Sequence, residues 1–319
     1  MEVKKTYLSL APMILWRQVE RPVDWLARFG REVPLVVEIG FGNGDYLVRN
    51  AVAHPEWNFV GIEVEWPSVR RALRRIAQAG VQWVRIVQVD ARIALERLFT
   101  ERSIREAYAL FPCPWPKERH AHRRLFSKDF LSLLNSRLED DGSVLVVTDS
   151  RPYMEWVLEQ AEGTGFHVTW RRIDPQFDTK YERKWREQGQ RWFYEIRFEK
   201  QEHISWPVKG DVALKTYRIA EFDPERFQPV EERGALTVVF KSFMFDPVRE
   251  RGAVHFVVTE DDIVQSVWVE IVRYEGEWHI RPLEGTGFIP TKGVQRALDL
   301  VYQAVIATSS PSRQPENPT

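Results

Sequence analysis

The chain has 319 residues, more than one compact domain ordinarily needs, and its 44% apolar content can build a sizeable core. Its 45 Lys and Arg against 46 Asp and Glu leave a net charge of -1, which excludes a globally basic nucleic-acid binder and confines any RNA contact to a local patch. A single cysteine, Cys113, excludes an internal disulfide framework or multi-cysteine metal cluster, and neither a membrane-length apolar run nor a secretory leader pattern is visible, so a cytoplasmic protein without a metal site or membrane partner is expected.

In chain order, the apolar run Leu35 to Ile39 reads as a buried strand and leads through Glu38-Ile39-Gly40-Phe41-Gly42-Asn43-Gly44 into a helix over Asp45 to Ala53. Such a loop can be a plain strand-to-helix turn or a dinucleotide loop, but without Gly-Lys-Ser or Gly-Lys-Thr it is not a P-loop. Alternate glycines at 40, 42 and 44 behind an acid suit S-adenosylmethionine. Glu38 would accept hydrogen bonds from the methionyl end, and the N–H groups of Gly40, Gly42 and the helix start would face its carboxylate.

The strand Phe59 to Ile62 ends at Glu63, placed for the ribose hydroxyls, and Val84 to Val89 ends at Asp90, placed for the exocyclic amine of an adenine. Each acid alone reads equally as a solvated strand end or a helix cap; three at successive strand ends describe one adenosyl ligand. Between those strands, a helix over Pro67 to Ala79 carries Arg70, Arg71, Arg74 and Arg75 as a basic stripe, suited to an RNA backbone or to solvent.

A fourth strand, Ala107 to Phe111, runs into Pro112-Cys113-Pro114-Trp115-Pro116-Lys117, followed by Arg119, Arg123 and Arg124. Three prolines forbid a regular helix there, and a Trp beside clustered cations suits base stacking and phosphate contact. A helix over Ser127 to Leu138 and a strand over Val144 to Thr148 complete the alternation. It predicts an α/β fold with a doubly wound, Rossmann-like parallel sheet and ligands at the C-terminal strand ends.

These motifs together resemble the bacterial tRNA (guanine-N7-)-methyltransferases, whose Phe-Pro-Asp-Pro-Trp loop is followed by a Lys and an Arg-His-x-x-Arg-Arg run. The resemblance covers roughly residues 10 to 200 and includes Gly61-Ile62-Glu63-Val64, Thr148-Asp149 and Thr179-Lys180-Tyr181-Glu182. It implies that Glu38, Glu63 and Asp90 hold S-adenosylmethionine, that Lys117 and Asp149 contact tRNA, and that Thr179, Lys180, Tyr181 and Glu182 line the target-base pocket. Asp149 and Glu182 are the candidates for orienting the base and balancing its charge. Without the resemblance, Thr179 to Glu182 reads as a capping turn.

Two positions depart from the family. Cys113 replaces the acid between the prolines, a position in the cofactor-binding and catalytic set, and Gln190 stands after Gly189 where many relatives carry His. Guanine N7 has an in-plane lone pair and no proton, so its methylation needs no general base and tolerates the loss of an acid. Cys113 also raises an alternative, an RNA cytosine-C5 methyltransferase with a cysteine nucleophile; the flanking Trp-Pro-Lys-x-Arg-His-x-x-Arg-Arg favours N7. A tRNA-binding protein that has lost activity is the remaining reading. By resemblance the target guanine lies in the variable loop, and a monomer is the simplest expectation.

From 201 to 307 the pattern changes to short strands, predicting a smaller α+β domain after the methyltransferase domain of 1–200. Strands are expected at Leu236 to Phe245, Ala253 to Thr259 and Val264 to Arg273, a hairpin turn at Tyr274 to Trp278, and a helix capped by Thr291 with Val294, Leu298, Val301, Tyr302 and Val305 on its apolar face. This extension suits either tRNA holding or stabilisation, with Lys209, Lys215, Arg218 and Lys241 as the cations of an RNA face. Residues 308–319, rich in Ser, Pro and Asn, read as a disordered tail.

Overall fold

The computed structural model describes residues 8–309, and the chain divides into two compact units, 1–210 and 211–319. The first is built on an eight-stranded sheet. Its central strands are β2 (Leu35–Ile39), β3 (Asn58–Glu63), β4 (Val84–Gln88), β5 (Ile104–Leu110) and β6 (Leu138–Thr148), all parallel, with the short β1 (Met13–Ile14) parallel to β4 at one edge. At the other edge β8 (Phe193–Lys200) runs antiparallel to β6 and pairs with β7 (Phe166–Ile173), so the order is β1-β4-β3-β2-β5-β6-β8-β7. The sheet is therefore mixed rather than wholly parallel. The order reverses between β2 and β5, where open α/β sheets leave a crevice beyond the C-terminal strand ends.

Helices α1 (Trp25–Phe29), α2 (Asp45–Ala53), α3 (Trp66–Ala79), α4 (Ala91–Arg97), α5 (Lys128–Arg137) and α6 (Arg151–Gln160) connect the strands, and α7 (Lys180–Glu187) lies between β7 and β8. α3 shows why the pattern folds this way. Val69, Ala72, Leu73 and Ile76 fall on one face and are all buried, while Arg70, Arg71 and Arg74 stay exposed on the other. Burying a Leu or Ile side chain in this way contributes about 1.5–3 kcal/mol. α2 approaches α3 closely at its N-terminus. Gly44 has φ +74°, and a Cβ there would fall 2.7 Å from the Cβ of Ala72, so only glycine permits both the turn and the packing.

The boundary between units falls after Gly210, ten residues beyond the change of pattern in the sequence. The side chain of Asn135 takes the amide of Ile204 at 2.8 Å and donates to the carbonyl of Glu202 at 3.0 Å. The fully buried Arg137 donates to the carbonyls of Leu95 and Trp206 at 2.7 and 2.6 Å. These bonds hold residues 202–206 in the first unit, because a buried guanidinium needs those acceptors.

In the second unit an antiparallel sheet has the order β10 (Leu236–Asp246), β11 (Arg251–Glu260), β12 (Ile263–Tyr274), β13 (Glu277–Pro282) and β9 (Tyr217–Ile219). Glu275 and Gly276, both with positive φ, make the two-residue turn between β12 and β13. α8 (Lys292–Ser309), capped by Thr291, buries Val294, Leu298, Val301 and Val305 in a core with Val254, Phe256, Val267 and Ile271. The first two residues of the expected tail thus belong to α8; 310–319 lie outside the described residues. Among the described residues no helix is long and apolar enough to cross a membrane.

Candidate active site

The C-terminal ends of β2 to β6 carry the acids and the proline loop singled out in the sequence. Glu38, within β2, is 4% exposed, and its Oε2 has no hydrogen-bond partner among the described residues. Burial pushes its carboxyl well above the usual carboxylate range, and the nearby Arg49 guanidinium partly offsets that push. An orphaned acceptor at the bottom of a cleft is unusual in a native protein and marks a place where a ligand donor fits. Nothing lies within 4 Å of where a Cβ would stand on Gly40 or Gly42, so the loop leaves open space above this carboxylate. The lining of the cleft joins Glu38, Gly40 and Gly42 to Thr179, Lys180 and Tyr181.

Glu63 is drawn into the loop itself. Its Oε2 accepts from the Gly42 amide at 2.9 Å and its Oε1 from the amides of Val64 and Glu65 at 2.8 and 3.1 Å, which fixes the loop against β3. Asp90 caps α4, accepting from the Arg92 amide at 2.8 Å, and remains exposed. The arginine stripe on α3 divides: Arg71 and Arg75 donate to the side chain and carbonyl of Asn43 in the glycine loop at 3.2 and 3.0 Å, whereas Arg70 and Arg74 face solvent.

After β5 the backbone turns through a strained point. Phe111 has φ +59°, a conformation that bulky side chains rarely adopt, and it is held there by a hydrogen bond from its backbone N–H to the Val147 carbonyl and by its ring set edge-on to Phe193 at 5.0 Å. Cys113 and Lys117 follow on the exposed loop, ahead of a 3-10 turn over Glu118–Arg123. Arg123 covers the Trp115 ring at 5.1 Å. Arg124 points inward instead, donating to the carbonyls of Pro114 and Trp115 and stacking over Trp156, so it shapes the loop and is not part of its exposed basic face. Asp149, just past β6, is half-buried, and burial raises its carboxyl above the usual range while Lys184 on α7 opposes that rise. Asp90, Cys113, Lys117 and Asp149 do not line the cleft; they stand on the same edge of the sheet.

Thr179 caps α7, and the Glu182 side chain folds back onto the turn that precedes it. Thr179 Oγ1 accepts from the Glu182 amide at 3.2 Å, and the Glu182 carboxylate, 1% exposed, accepts from the amides of Gln176 and Phe177 at 2.7 and 3.1 Å and also from Asp178. The Glu182 oxygens, expected to orient the base, are buried and engaged by these backbone donors. Lys180 and Tyr181 are exposed beside it, and Gln190 donates to the Trp192 carbonyl at 2.8 Å.

Sequence reasoning missed Asp45, Ser68 and Leu110, which also line the cleft, and Arg49 and Arg183 behind it. Asp45 and Arg49 stand one turn apart on α2, immediately after the glycine loop, which is the signal that could have marked them. Among the described residues no group of three or more His, Cys, Asp or Glu gathers as a metal site.

Residues 32–194 match a family model described as "Putative methyltransferase". The chain is 45% identical over 168 residues to a tRNA (guanine-N(7)-)-methyltransferase of Chlorobium phaeobacteroides, covering 53% of this chain and 82% of the relative. It is 43% identical over 175 residues to the protein of that name from Thermotoga maritima, covering 54% of this chain and 56% of the relative. A 28% identical match to the one from Aquifex aeolicus spans 90% of this chain and 97% of the relative, and so extends through much of the second unit.

Proposed function

Because the chain belongs to the tRNA (guanine-N7-)-methyltransferase family, enzymes that use S-adenosylmethionine to methylate N7 of a guanine in tRNA, we propose that the cleft over Glu38 receives the cofactor and the turn Thr179–Tyr181 receives the guanine. The observation that carries this reading is the partnerless, buried Oε2 of Glu38 below the open faces of Gly40 and Gly42. Such a carboxylate suits the methionyl ammonium, and the exposed amides at the loop suit the methionyl carboxylate. Glu63 would hold the ribose from its place against Gly42, and Asp90 the adenine amine. Cys113, where relatives carry an acid, would border the cofactor.

When bound, S-adenosylmethionine supplies an electrophilic methyl group on a sulfonium. The protein's own task is placement, since guanine N7 offers a lone pair without first losing a proton. Aligned, close attack can lower the barrier by on the order of 7 kcal/mol. As N7 takes the methyl group the purine becomes positively charged, and the half-buried carboxylate of Asp149 is suited to offset that charge. Lys117 and Lys180 would take tRNA phosphates and Tyr181 would stack on the target base. Glu182 would act through the turn it holds. The working unit we propose is a monomer in the cytoplasm, with the variable loop of the tRNA presenting the guanine.

The test is incubation of unmodified tRNA with methyl-labelled cofactor, followed by nucleoside analysis, for wild type and Cys113→Ala. We expect labelled 7-methylguanosine from both proteins, and its loss when the variable-loop guanine is replaced. Appearance of 5-methylcytidine that vanishes in Cys113→Ala would instead make the cysteine a nucleophile.

A further inference from the structure

Ionic and aromatic contacts join the helix behind the glycine loop to the segment that carries Thr179–Tyr181. Asp45, the first residue of α2, has a side chain only 13% exposed and meets Arg75 of α3 at 2.7 Å and Arg183 of α7 at 3.3 Å. Arg183 also reaches the Asp178 carboxylate at 3.0 Å. One turn along α2, Arg49 donates to the Phe177 carbonyl and lies 3.9 Å from Asp178. Between them Tyr46 sets its ring edge-on to Phe177 at 5.5 Å. Residues 45, 46 and 49 therefore grip residues 177, 178 and 183 around one end of the cleft, which Asp45 itself lines opposite Thr179.

α7 is also anchored by Trp185, which packs against the core cluster that holds Phe177, Leu110 and Phe193. Of its residues only Glu182 is buried, and the backbone bends at Asp178 with φ +44°. Partly exposed ion pairs add little to global stability. Phe177 is fixed in that core, whereas Asp178, Lys180 and Tyr181 are exposed beyond it, so the ion pairs act on where this outer part of the turn sits. Arg49 has a second neighbour in Glu38, whose charge it favours.

We propose that Arg183 and Arg49 are positioning residues that clamp the guanine-binding turn to the cofactor loop, so that tRNA engagement and cofactor binding are coupled. The proposal rests on the reading of Thr179–Tyr181 as the guanine contact. Among the described residues the polar contacts of Arg183 are to Asp178 and Asp45, whereas Arg49 touches the turn and faces the Glu38 carboxylate, so the two should fail differently.

The experiment compares full-length wild type with Arg183→Gln, Arg183→Lys, Arg49→Gln and Tyr181→Ala. It uses calorimetric titration of S-adenosylmethionine with and without unmodified tRNA, and steady-state kcat and KM for tRNA. Arg183→Gln is expected to bind cofactor alone as wild type does, to raise the tRNA KM, and to lose the tightening of cofactor binding by tRNA, a change of roughly 5-fold or more at the lower end of ordinary couplings between sites. Arg183→Lys, which keeps the charge but not the fork that spans two carboxylates, should recover part of this. Arg49→Gln should weaken both cofactor and tRNA. Unchanged KM and coupling in Arg183→Gln, with Tyr181→Ala impaired, would overturn the clamp while leaving the turn as the guanine contact. An unaffected Tyr181→Ala would overturn that reading of the turn and the clamp with it. Equal losses of cofactor affinity and thermal stability in Arg183→Gln would reduce Arg183 to a structural role, also against the clamp, and Arg49→Gln then supplies the independent check.

Discussion

Glu38 carries a conflict between stability and binding. Its folded-state carboxyl is raised by burial, so whatever it contributes to stability is present below the ordinary carboxylate range and is lost as pH rises through the raised value. In neutral solution the protein without cofactor therefore holds a charge, or a proton, at a cost. A buried polar group without a partner costs about 1–3 kcal/mol. Glu38→Gln is expected to raise the melting temperature of the cofactor-free protein by a few degrees, with the gain over wild type widening as pH rises, while cofactor affinity falls sharply; calorimetric scans at several pH values and titration of the cofactor check both. A variant that lost stability at high pH would mean that Glu38 is satisfied within the fold. Asp149 should behave differently, because the role proposed for it is in the reaction and not in the loop. Asp149→Asn should lower kcat/KM for tRNA about 10-fold, equivalent to ~1.4 kcal/mol, with cofactor affinity unchanged in the same titration.

The turn before α7 is an element built around one side chain. Three successive amides, of Gln176, Phe177 and Asp178, converge on the Glu182 carboxylate, and such a run of donors is an anion-binding concavity. Glu182→Ala should open it. Loss of tRNA activity is expected together with a new sensitivity to sulfate or phosphate, measurable as inhibition that wild type lacks at the same ionic strength.

This element also shows where sequence reading ran out. β2 and α2 fall where the apolar spacing put them, and Thr291 and the turn before Trp278 mark their elements through local chemistry alone. β7 was not visible, because Thr169 to Arg172 are all exposed at a sheet edge and leave no alternation to follow. α4 is short and buried nearly all round, so it offers no amphipathic face. Glu38, Gly40 and Gly42 could be read as a cleft because the motif is contiguous. The pairing of Asp45 with Arg183 joins residues 138 positions apart, and no local period encodes such a contact. The tying of residues 202–206 to Asn135 and Arg137 was hidden for the same reason, which moved the unit boundary past the change in pattern.

At the scale of the molecule, each unit has its own core, so unfolding is not expected to follow a single two-state transition. Leu298→Ala removes a fully buried side chain from α8 and should destabilise the second unit by about 2–5 kcal/mol. Cofactor affinity below that unit's transition should stay as in wild type, since all the residues of the cleft belong to the first unit; a parallel loss of affinity would show that the units share more than a chain.

The reversal of strand order between β2 and β5 has a consequence for how such enzymes diversify. Glu38, Gly40, Gly42, Glu63 and Asp90 precede Ala91, while the proline loop, Asp149 and the Thr179 turn all follow Leu110. On the proposed reading the chain is thus written in two successive passages, the first addressed to the cofactor and the second, apart from Cys113 and the part of the cleft lined by Thr179–Tyr181, to the nucleic acid. On that reading, changes confined to the second passage would alter the choice of nucleotide while leaving the first intact.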